Sequence, residues 1–193
     1  MENDPLSPSD EEIVHRVLAG EVNAFEYLVR RYQRLVLATV KKHAPFDCVE
    51  DIVQDVYLRA YRSLPGFRRT DRFAHWLSVI AVRTCYDFWR QRYKSREVPM
   101  SSLAEEHEAR LEAAASDHSA PSDGKALQRE AREALEWALG KLSAGDRMVL
   151  ELVYLEGRSV REAAGLLGWS AANVKVRLFR SRRKLRALIE PET

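Results

Sequence analysis

The sequence has few of the residues that would indicate covalent cross-links, zinc sites or tight turns. Only two of its 193 residues are cysteines, Cys48 and Cys85, and their separation fits neither a paired-cysteine zinc motif nor a disulfide framework. We expect both to be small buried residues. Glycine is also scarce, at eight residues, and almost no segment alternates with the period of two that is typical of strands. The sequence therefore excludes a disulfide scaffold and predicts a fold made of helices.

Long apolar runs are absent as well. No segment approaches the roughly 18 uninterrupted apolar residues that a membrane-spanning helix needs. Near the start, Asp4, Asp10, Glu11 and Glu12 stand where a secretion signal would carry lysine or arginine. The apolar fraction of 46% is nevertheless enough to bury a core. We therefore expect a globular, cytoplasmic protein of one or two domains that does not insert into a membrane.

The net charge of +2 hides a strong segregation of charge along the chain. Residues 57–96 contain ten Lys or Arg and two acids, residues 97–124 contain seven acids and one base, and residues 173–186 contain seven bases and no acid. Basic segments of this kind are typical of proteins that bind DNA, because its phosphates attract Lys and Arg. The acidic segment contains two prolines and few large apolar residues, so we predict a flexible linker there.

Apolar residues recur at helical spacing before this linker. Ser9 and Glu12 have the spacing of a capping box, in which the serine caps the start of a helix, so a first helix is expected there. Three more helices follow. The second ends before Pro45, the third occupies about residues 52–64 and the fourth about residues 71–93. We expect these four helices to close a first domain.

More helices are predicted after the linker, and the last two have the pattern of a helix-turn-helix. Ser159 and Glu162 form a second capping box, and Gly168 follows where a left-handed helix end is favoured. Ser170 is a suitable cap for the next, basic helix, in which Val174 is an inward residue. A helix that follows such a tight turn can enter the major groove of DNA.

The outward positions of this basic helix combine groups that bind phosphates with groups that read bases. Arg and Lys contact phosphates and guanine, Asn reads adenine, and small residues allow close approach to the groove. Seven bases without an acid are not expected of an ordinary solvated helix. We therefore predict DNA contacts by Ser170, Ala172, Asn173, Lys175, Val176, Arg177, Arg180, Ser181 and Lys184.

Parts of both predicted domains resemble a known family of transcription proteins. The segment DIVQDVYLRAYRSL from Asp51 to Leu64, followed by Phe67 and by FAHWLSVIA from Phe73 to Ala81, is similar to region 2 of the extracytoplasmic-function sigma factors. The segment VKVRLFRSRRKL from Val174 to Leu185 is similar to the end of their region 4. The resemblance covers most of both domains, in the order found in the family.

The resemblance implies a domain organisation and a function. Region 2 would occupy residues 10–96, the linker residues 97–125 and region 4 residues 126–190, in an all-α protein of two small domains. The chain would be a sigma factor, which binds core RNA polymerase, directs it to promoter DNA and is not itself an enzyme. It would use no cofactor, metal or catalytic residue. An anti-sigma factor would sequester it and could hold it near the membrane.

The resemblance also assigns surfaces within region 2. Core polymerase would bind one face of the third helix, and the minus-ten promoter element would be opened over the loop and helix that follow. Aromatic residues there could stack on an unpaired base, although Phe73 and Trp76 also fit the apolar core. The expected polymerase-binding residues are Asp51, Gln54, Asp55, Leu58, Arg59 and Arg62, and the expected minus-ten residues are Phe67, Arg68, Arg69, Thr70, Asp71, Arg72, Trp76 and Arg83.

Three positions depart from the family pattern. Thr84 stands where the family usually has Asn, which weakens the expectation of polar contacts from the fourth helix to minus-ten DNA. Val176 and Ser181 stand where Ser and Ala are usual. Val176 would replace a hydroxyl contact by packing against a thymine methyl group or the DNA backbone.

Two other functions fit parts of the sequence. A helix-turn-helix regulator would bind a palindromic operator as a dimer and would leave a footprint without polymerase. A metal-dependent helical nucleic-acid enzyme would use Asp51 and Asp55, with His43, Asp47 and Glu50 nearby, and would lose its activity in chelator. Arginines one turn further along the helix and the lack of an accompanying nucleophile argue against the enzyme.

Overall fold

The computed structural model describes residues 8–68, 72–96 and 123–189. Within these ranges every regular element is helical and no residue lies in a β-strand, so the all-α prediction is confirmed. None of the helices in these ranges is both long enough and apolar enough to cross a membrane. The α-helices are α1 Asp10–Leu18, α2 Phe25–His43, α3 Val49–Ser63, α4 Phe73–Arg96, α5 Asp123–Gly140, α6 Ala144–Leu150, α7 Val160–Leu167 and α8 Ala171–Ile189.

Three short 3-10 helices and one π-helical turn also lie within the described ranges. The 3-10 helices are Val22–Ala24, Phe46–Cys48 and Leu64–Gly66, and the π-helical turn is Glu151–Leu155. Most of the predicted linker, residues 97–122, lies outside the described residues. Its last three residues, predicted as linker, instead form the start of α5. Apolar periodicity reports burial rather than backbone conformation, so it misses a helical turn that precedes the first inward residue.

The predicted helix signals are confirmed at both ends of the chain. The Ser9 hydroxyl accepts a hydrogen bond from the Glu12 N–H at 3.2 Å, and the Glu12 carboxylate accepts one from the Ser9 N–H at 2.7 Å, which lowers the pKa of Glu12. Ser159 and Glu162 form the same reciprocal pair, at 3.2 and 2.8 Å. Gly168 ends α7 in the left-handed conformation, with φ of 72°. These local sequences therefore fix where α1 and α7 begin and where α7 ends.

The chain forms two compact units. Among the described residues, the first unit consists of those up to Phe88 together with Ser159–Ser170, and the second consists of the rest. In the first unit α2 contacts α3, and each of these helices buries a stripe of apolar residues at helical spacing. The buried apolar residues of the two stripes are Leu28, Val36, Val40, Val49, Ile52, Val56 and Ala60.

The second unit is built around α6, a short helix that Ser143 caps. All seven residues of α6 are buried, and the helix packs against α8. The buried set includes charged residues, because Asp146 and Arg147 of α6 and the adjacent Glu151 are all covered. Buried charges need partners, and those partners shape the candidate interface described below.

The two cysteines have different environments. Cys85 of α4 is fully buried, as predicted, whereas Cys48 lies at the start of α3 and is only half-buried. Neither is in a disulfide bond.

Candidate nucleic-acid interface

The exposed face of α8 presents most of the residues predicted to contact DNA. The helix begins at Ala171, three residues after the left-handed Gly168. Its exposed side carries cations, an amide and small residues, which together can contact phosphates and approach base edges. The predicted residues that are exposed are Ser170, Ala172, Asn173, Lys175, Val176, Arg180 and Lys184.

Ser181 was predicted to face outward, and this prediction is wrong. Its exposed fraction is 0%, and its hydroxyl donates a hydrogen bond to the carbonyl of Arg177 at 2.7 Å. Ser181 follows the buried Val174 and Leu178 at helical spacing, so it continues the inward stripe of α8. A small hydroxyl that bonds to the preceding turn can be buried without another partner.

Arg177 is also less available than predicted. Its side chain is half-buried, and Nη1 lies 3.3 Å from Oδ1 of Asp146. Oδ2 of the same carboxylate lies 3.1 Å from Nζ of Lys184, whose side chain remains largely exposed. Asp146 is a functional candidate that the sequence reasoning missed. An acid in the first turn of a capped helix is usually a helix-stabilising residue, and nothing in the local sequence points it toward α8.

The basic face of α8 also carries an exposed aromatic residue that the sequence reasoning left out. Phe179 is 67% exposed, and Val176, one turn earlier, is 48% exposed. Position i+3 relative to Val176 places the two side chains on neighbouring parts of one face. Apolar groups therefore lie among the cations of this surface.

Most of the predicted polymerase-binding residues form an exposed face on α3. Asp51, Gln54, Leu58 and Arg62 are exposed, and Leu58 is the large apolar residue among them, at 53% exposure. Such a mixture of acid, amide, apolar and Arg groups suits a protein interface.

Arg59 lies at the border of this face and is held by two carboxylates. Its guanidinium contacts Asp55 at 3.0 Å and Asp87 of α4 at 2.7 Å. Burial lowers the pKa of Arg59, but the hydrogen bonds and charges of Asp87 and Asp55 outweigh burial and raise it. Arg59 and Asp55 therefore form an ordered part of the α3 surface. Asp55, which could have been read as a metal ligand, is the partner of an arginine instead.

The aromatic residues predicted near the minus-ten element form one cluster. Phe73 is 2% exposed, so it is a core residue. Phe67 and Trp76 are half-buried at its border, with ring centroids 4.7 Å apart and each within 5.4 Å of the Phe73 ring. Beside them Arg68 and Arg72 are exposed, whereas the predicted Arg69, Thr70 and Asp71 lie outside the described residues.

Two positions of α4 offer few free polar groups to DNA, and for Thr84 this agrees with the sequence analysis. Thr84 is buried, and its hydroxyl donates to the carbonyl of Ile80 at 2.8 Å, so it offers no group to a ligand. Arg83 is exposed, but its Nε donates a 3.3 Å hydrogen bond to the carbonyl of Leu166. In the part of the chain that the structure describes, no three His, Cys, Asp or Glu residues come together as a metal site.

Comparison with known proteins supplies the family. The model for Sigma-70 region 2 matches residues 28–95, and the model for Sigma-70, region 4 matches residues 132–185. The chain is 31% identical over 184 residues to the ECF RNA polymerase sigma-E factor of Escherichia coli K12, with 95% of each chain covered. The protein belongs to the extracytoplasmic-function sigma factors. As a sigma factor, it binds core RNA polymerase, directs transcription initiation at promoters and is not an enzyme.

Other relatives of this sigma factor agree with that assignment. The sigma-E factor of Haemophilus influenzae is 27% identical over 185 residues, which is 95% of this chain and 96% of that one. The structure of CnrH in complex with the cytosolic domain of CnrY matches with a TM-score of 0.51 at 29% identity, over 96% of this chain and all of that chain. The sigma factor RpoE from Bartonella quintana, solved with the anti-sigma factor NepR, has the same fold, with a TM-score of 0.51 at 22% identity over 88% of this chain and 98% of that one.

Proposed function

We propose that this sigma factor reads the minus-thirty-five promoter element with the exposed face of α8. One observation carries the proposal: a helix with exposed Lys175 and Arg180 follows a left-handed turn at Gly168. That arrangement is the one by which a recognition helix enters the major groove. Asn173 supplies an amide for base edges, and Val176 supplies a methyl-bearing surface that thymine can contact.

The minus-ten element is assigned to the cluster around Phe67 and Trp76. These half-buried rings sit on the buried Phe73, so each has a supported inner side and an accessible edge. An unpaired base can rest on such a platform, while the exposed Arg68 and Arg72 attract the phosphates of the single strand. On this proposal region 2 occupies residues 10–96 and region 4 residues 126–190, with the linker between them.

The polymerase-binding surface is assigned to the exposed face of α3. Leu58 supplies an apolar centre, and Asp51, Gln54 and Arg62 supply the surrounding polar groups. The ordered pair of Arg59 and Asp55 borders this centre, so the surface needs little rearrangement to bind.

An anti-sigma factor is assigned as a further partner. The RpoE protein of Bartonella quintana was solved with such a partner, NepR. We propose that this chain is sequestered in the same general way in the cytoplasm, near the membrane when the anti-sigma factor is anchored there. Fractionation of cells into cytoplasm and membrane, before and after removal of the anti-sigma partner, tests this location.

Run-off transcription tests the two main surfaces. Purified core polymerase and pooled genomic promoter fragments are mixed with the wild-type chain, with Leu58→Asp or with Arg180→Ala. Discrete transcripts should require the wild-type chain, be lost with Leu58→Asp and be weaker with Arg180→Ala. Leu37→Asp and Arg129→Ala are matched controls, because Leu37 is exposed on α2 and Arg129 is exposed on α5. No transcript, together with a footprint formed without polymerase, would favour the operator-binding regulator.

A further inference from the structure

The buried carboxylate of Asp146 links two cations of α8. Its side chain is 7% exposed, and its two oxygens contact different partners, Arg177 at 3.3 Å and Lys184 at 3.1 Å. Asp146 also lies in the first turn of α6, where its N–H donates to the hydroxyl of Ser143 at 3.3 Å. The helix cap therefore holds the backbone that carries this carboxylate.

The spacing of the two cations makes this contact sensitive to how α8 is oriented. Arg177 and Lys184 are seven residues apart, which is about two turns of an α-helix, so they lie on the same side. Between them lies the buried Ser181, whose hydroxyl bonds to the carbonyl of Arg177. Turning α8 by one residue, about 100°, would take both cations away from the carboxylate. The pair of contacts therefore selects one orientation of α8 about its axis.

The carboxylate of Asp146 also determines which cations of α8 are available to contact DNA. Arg177 is half-buried and committed to Asp146, whereas Lys175 and Arg180 are exposed on α8. Asp146 is buried and Arg177 is half-buried, and a partly buried ion pair is screened by salt less than a fully exposed one. Arg177 thus helps to hold α8 in place and is not one of the residues that contact DNA.

We propose that Asp146 is a positioning residue that sets promoter selectivity by holding Arg177 and Lys184, and through them the orientation of α8. This inference rests on the proposed function of α8 at the minus-thirty-five element. It predicts a particular defect. Without the carboxylate, α8 still attracts DNA through its charge but presents its base-reading groups less consistently.

The test uses Asp146→Asn in holoenzyme with core polymerase. The template is a promoter identified by the run-off experiment, alongside the same promoter with its upstream element scrambled. The ratio of transcription from the two templates should fall at least about fivefold, the lower end of the discrimination that one well-placed base contact supplies. The dependence of DNA binding on salt should become steeper by about one or two phosphate contacts, because the released cations become available.

Two comparisons separate positioning from other effects. Glu133→Gln removes the same charge from an exposed ion pair within α5, so it should leave the ratio unchanged. Arg177→Gln removes one contact from the α8 side, keeps Asp146 paired with Lys184, and should lower the ratio in the same direction. The double variant Asp146→Asn/Arg177→Gln should be no worse than the more affected single variant, because Asp146→Asn already removes the contact that Arg177→Gln breaks.

Several outcomes would overturn the inference. One is an unchanged ratio for Asp146→Asn, and another is an equal loss for Glu133→Gln. If the effects of Asp146→Asn and Arg177→Gln add in full, Arg177 reads DNA independently and Asp146 does not act through it. A folding defect would lower transcription from both templates alike, and circular dichroism would detect it. Equal transcription of the two templates by wild-type holoenzyme would overturn the proposed function of α8 itself.

Discussion

Replacing Arg147 by methionine should destabilise the second unit by about 3–5 kcal/mol, because it removes one member of a buried ion pair and leaves the acid in place. The Arg147 side chain is 6% exposed and contacts Glu151 at 2.7 Å and Glu136 at 2.8 Å. Its guanidinium carbon also lies 4.0 Å from the ring centre of the buried Trp89. Burial lowers the pKa of Arg147, but the charges of Glu151 and Glu136 outweigh burial and raise it, so the arginine stays charged.

The magnitude follows from what each partner loses. Glu151 is 3% exposed, so loss of Arg147 removes a cation that lies 2.7 Å from a buried carboxylate, and this accounts for most of the loss. Glu136 is 56% exposed and regains water, so its share is below about 1 kcal/mol. Loss of the contact with Trp89 adds up to about 2 kcal/mol, part of which the methionine side chain restores by packing against the ring.

Urea denaturation followed by tryptophan fluorescence measures this effect. With a slope of about 2 kcal/mol per molar urea, the midpoint should fall by about 1.5–2.5 M. The control is Arg147→Met/Glu151→Met, which removes both buried charges and should return the stability close to the wild-type value. A loss below about 1 kcal/mol for the single variant, or an equally large loss for the double variant, would refute the reasoning.

Four further changes test separate parts of the structure. Ser159→Ala removes the hydroxyl that caps α7 and should cost about 0.5–2 kcal/mol in urea denaturation, whereas Ser159→Asp should cost less. Gly168→Ala puts a side chain at φ of 72° and should cost about 1–2 kcal/mol by the same measurement, and an unchanged midpoint would contradict the strain argument. Arg180→Ala should reduce the slope of log affinity against log salt by about one in holoenzyme–promoter binding, and an unaltered slope would exclude a phosphate contact. Leu58→Asp should weaken binding to core polymerase at least tenfold in a pull-down titration while leaving the urea midpoint unchanged, as expected if its exposed side chain is an interface residue.

The parts of the fold that the sequence predicted well depend on short-range chemistry. Both capping boxes join residues three apart, and the left-handed end of α7 depends on the single glycine at position 168. Helical spacing also predicted the buried stripes of α2 and α3, because apolar residues at this spacing lie on one face of a helix and that face packs into the core. The sequence left open whether Phe73 is core or a base platform, and its burial assigns it to the core.

The parts that were missed depend on contacts between distant residues. Asp146 and Lys184 are separated by 38 positions, and no local pattern reports which side of α6 faces α8. Arg59 and Asp87, 28 positions apart, pose the same problem. The prediction for Ser181 was wrong for a different reason. Its side chain is polar, which indicated an outward position, but Ser181 continues the inward stripe of Val174 and Leu178. Spacing alone would have placed it correctly.

The complete burial of α6 has an evolutionary consequence. A helix with no exposed residue cannot change without disturbing the packing of its unit, whereas the outer side of α8 can change residue by residue at little cost in stability. On the proposed role of α8, new promoter preferences can therefore arise by substitutions on that outer side while α6 and its charge partners stay fixed. The same separation makes the outer side of α8 a suitable place for a library of variants with altered promoter choice.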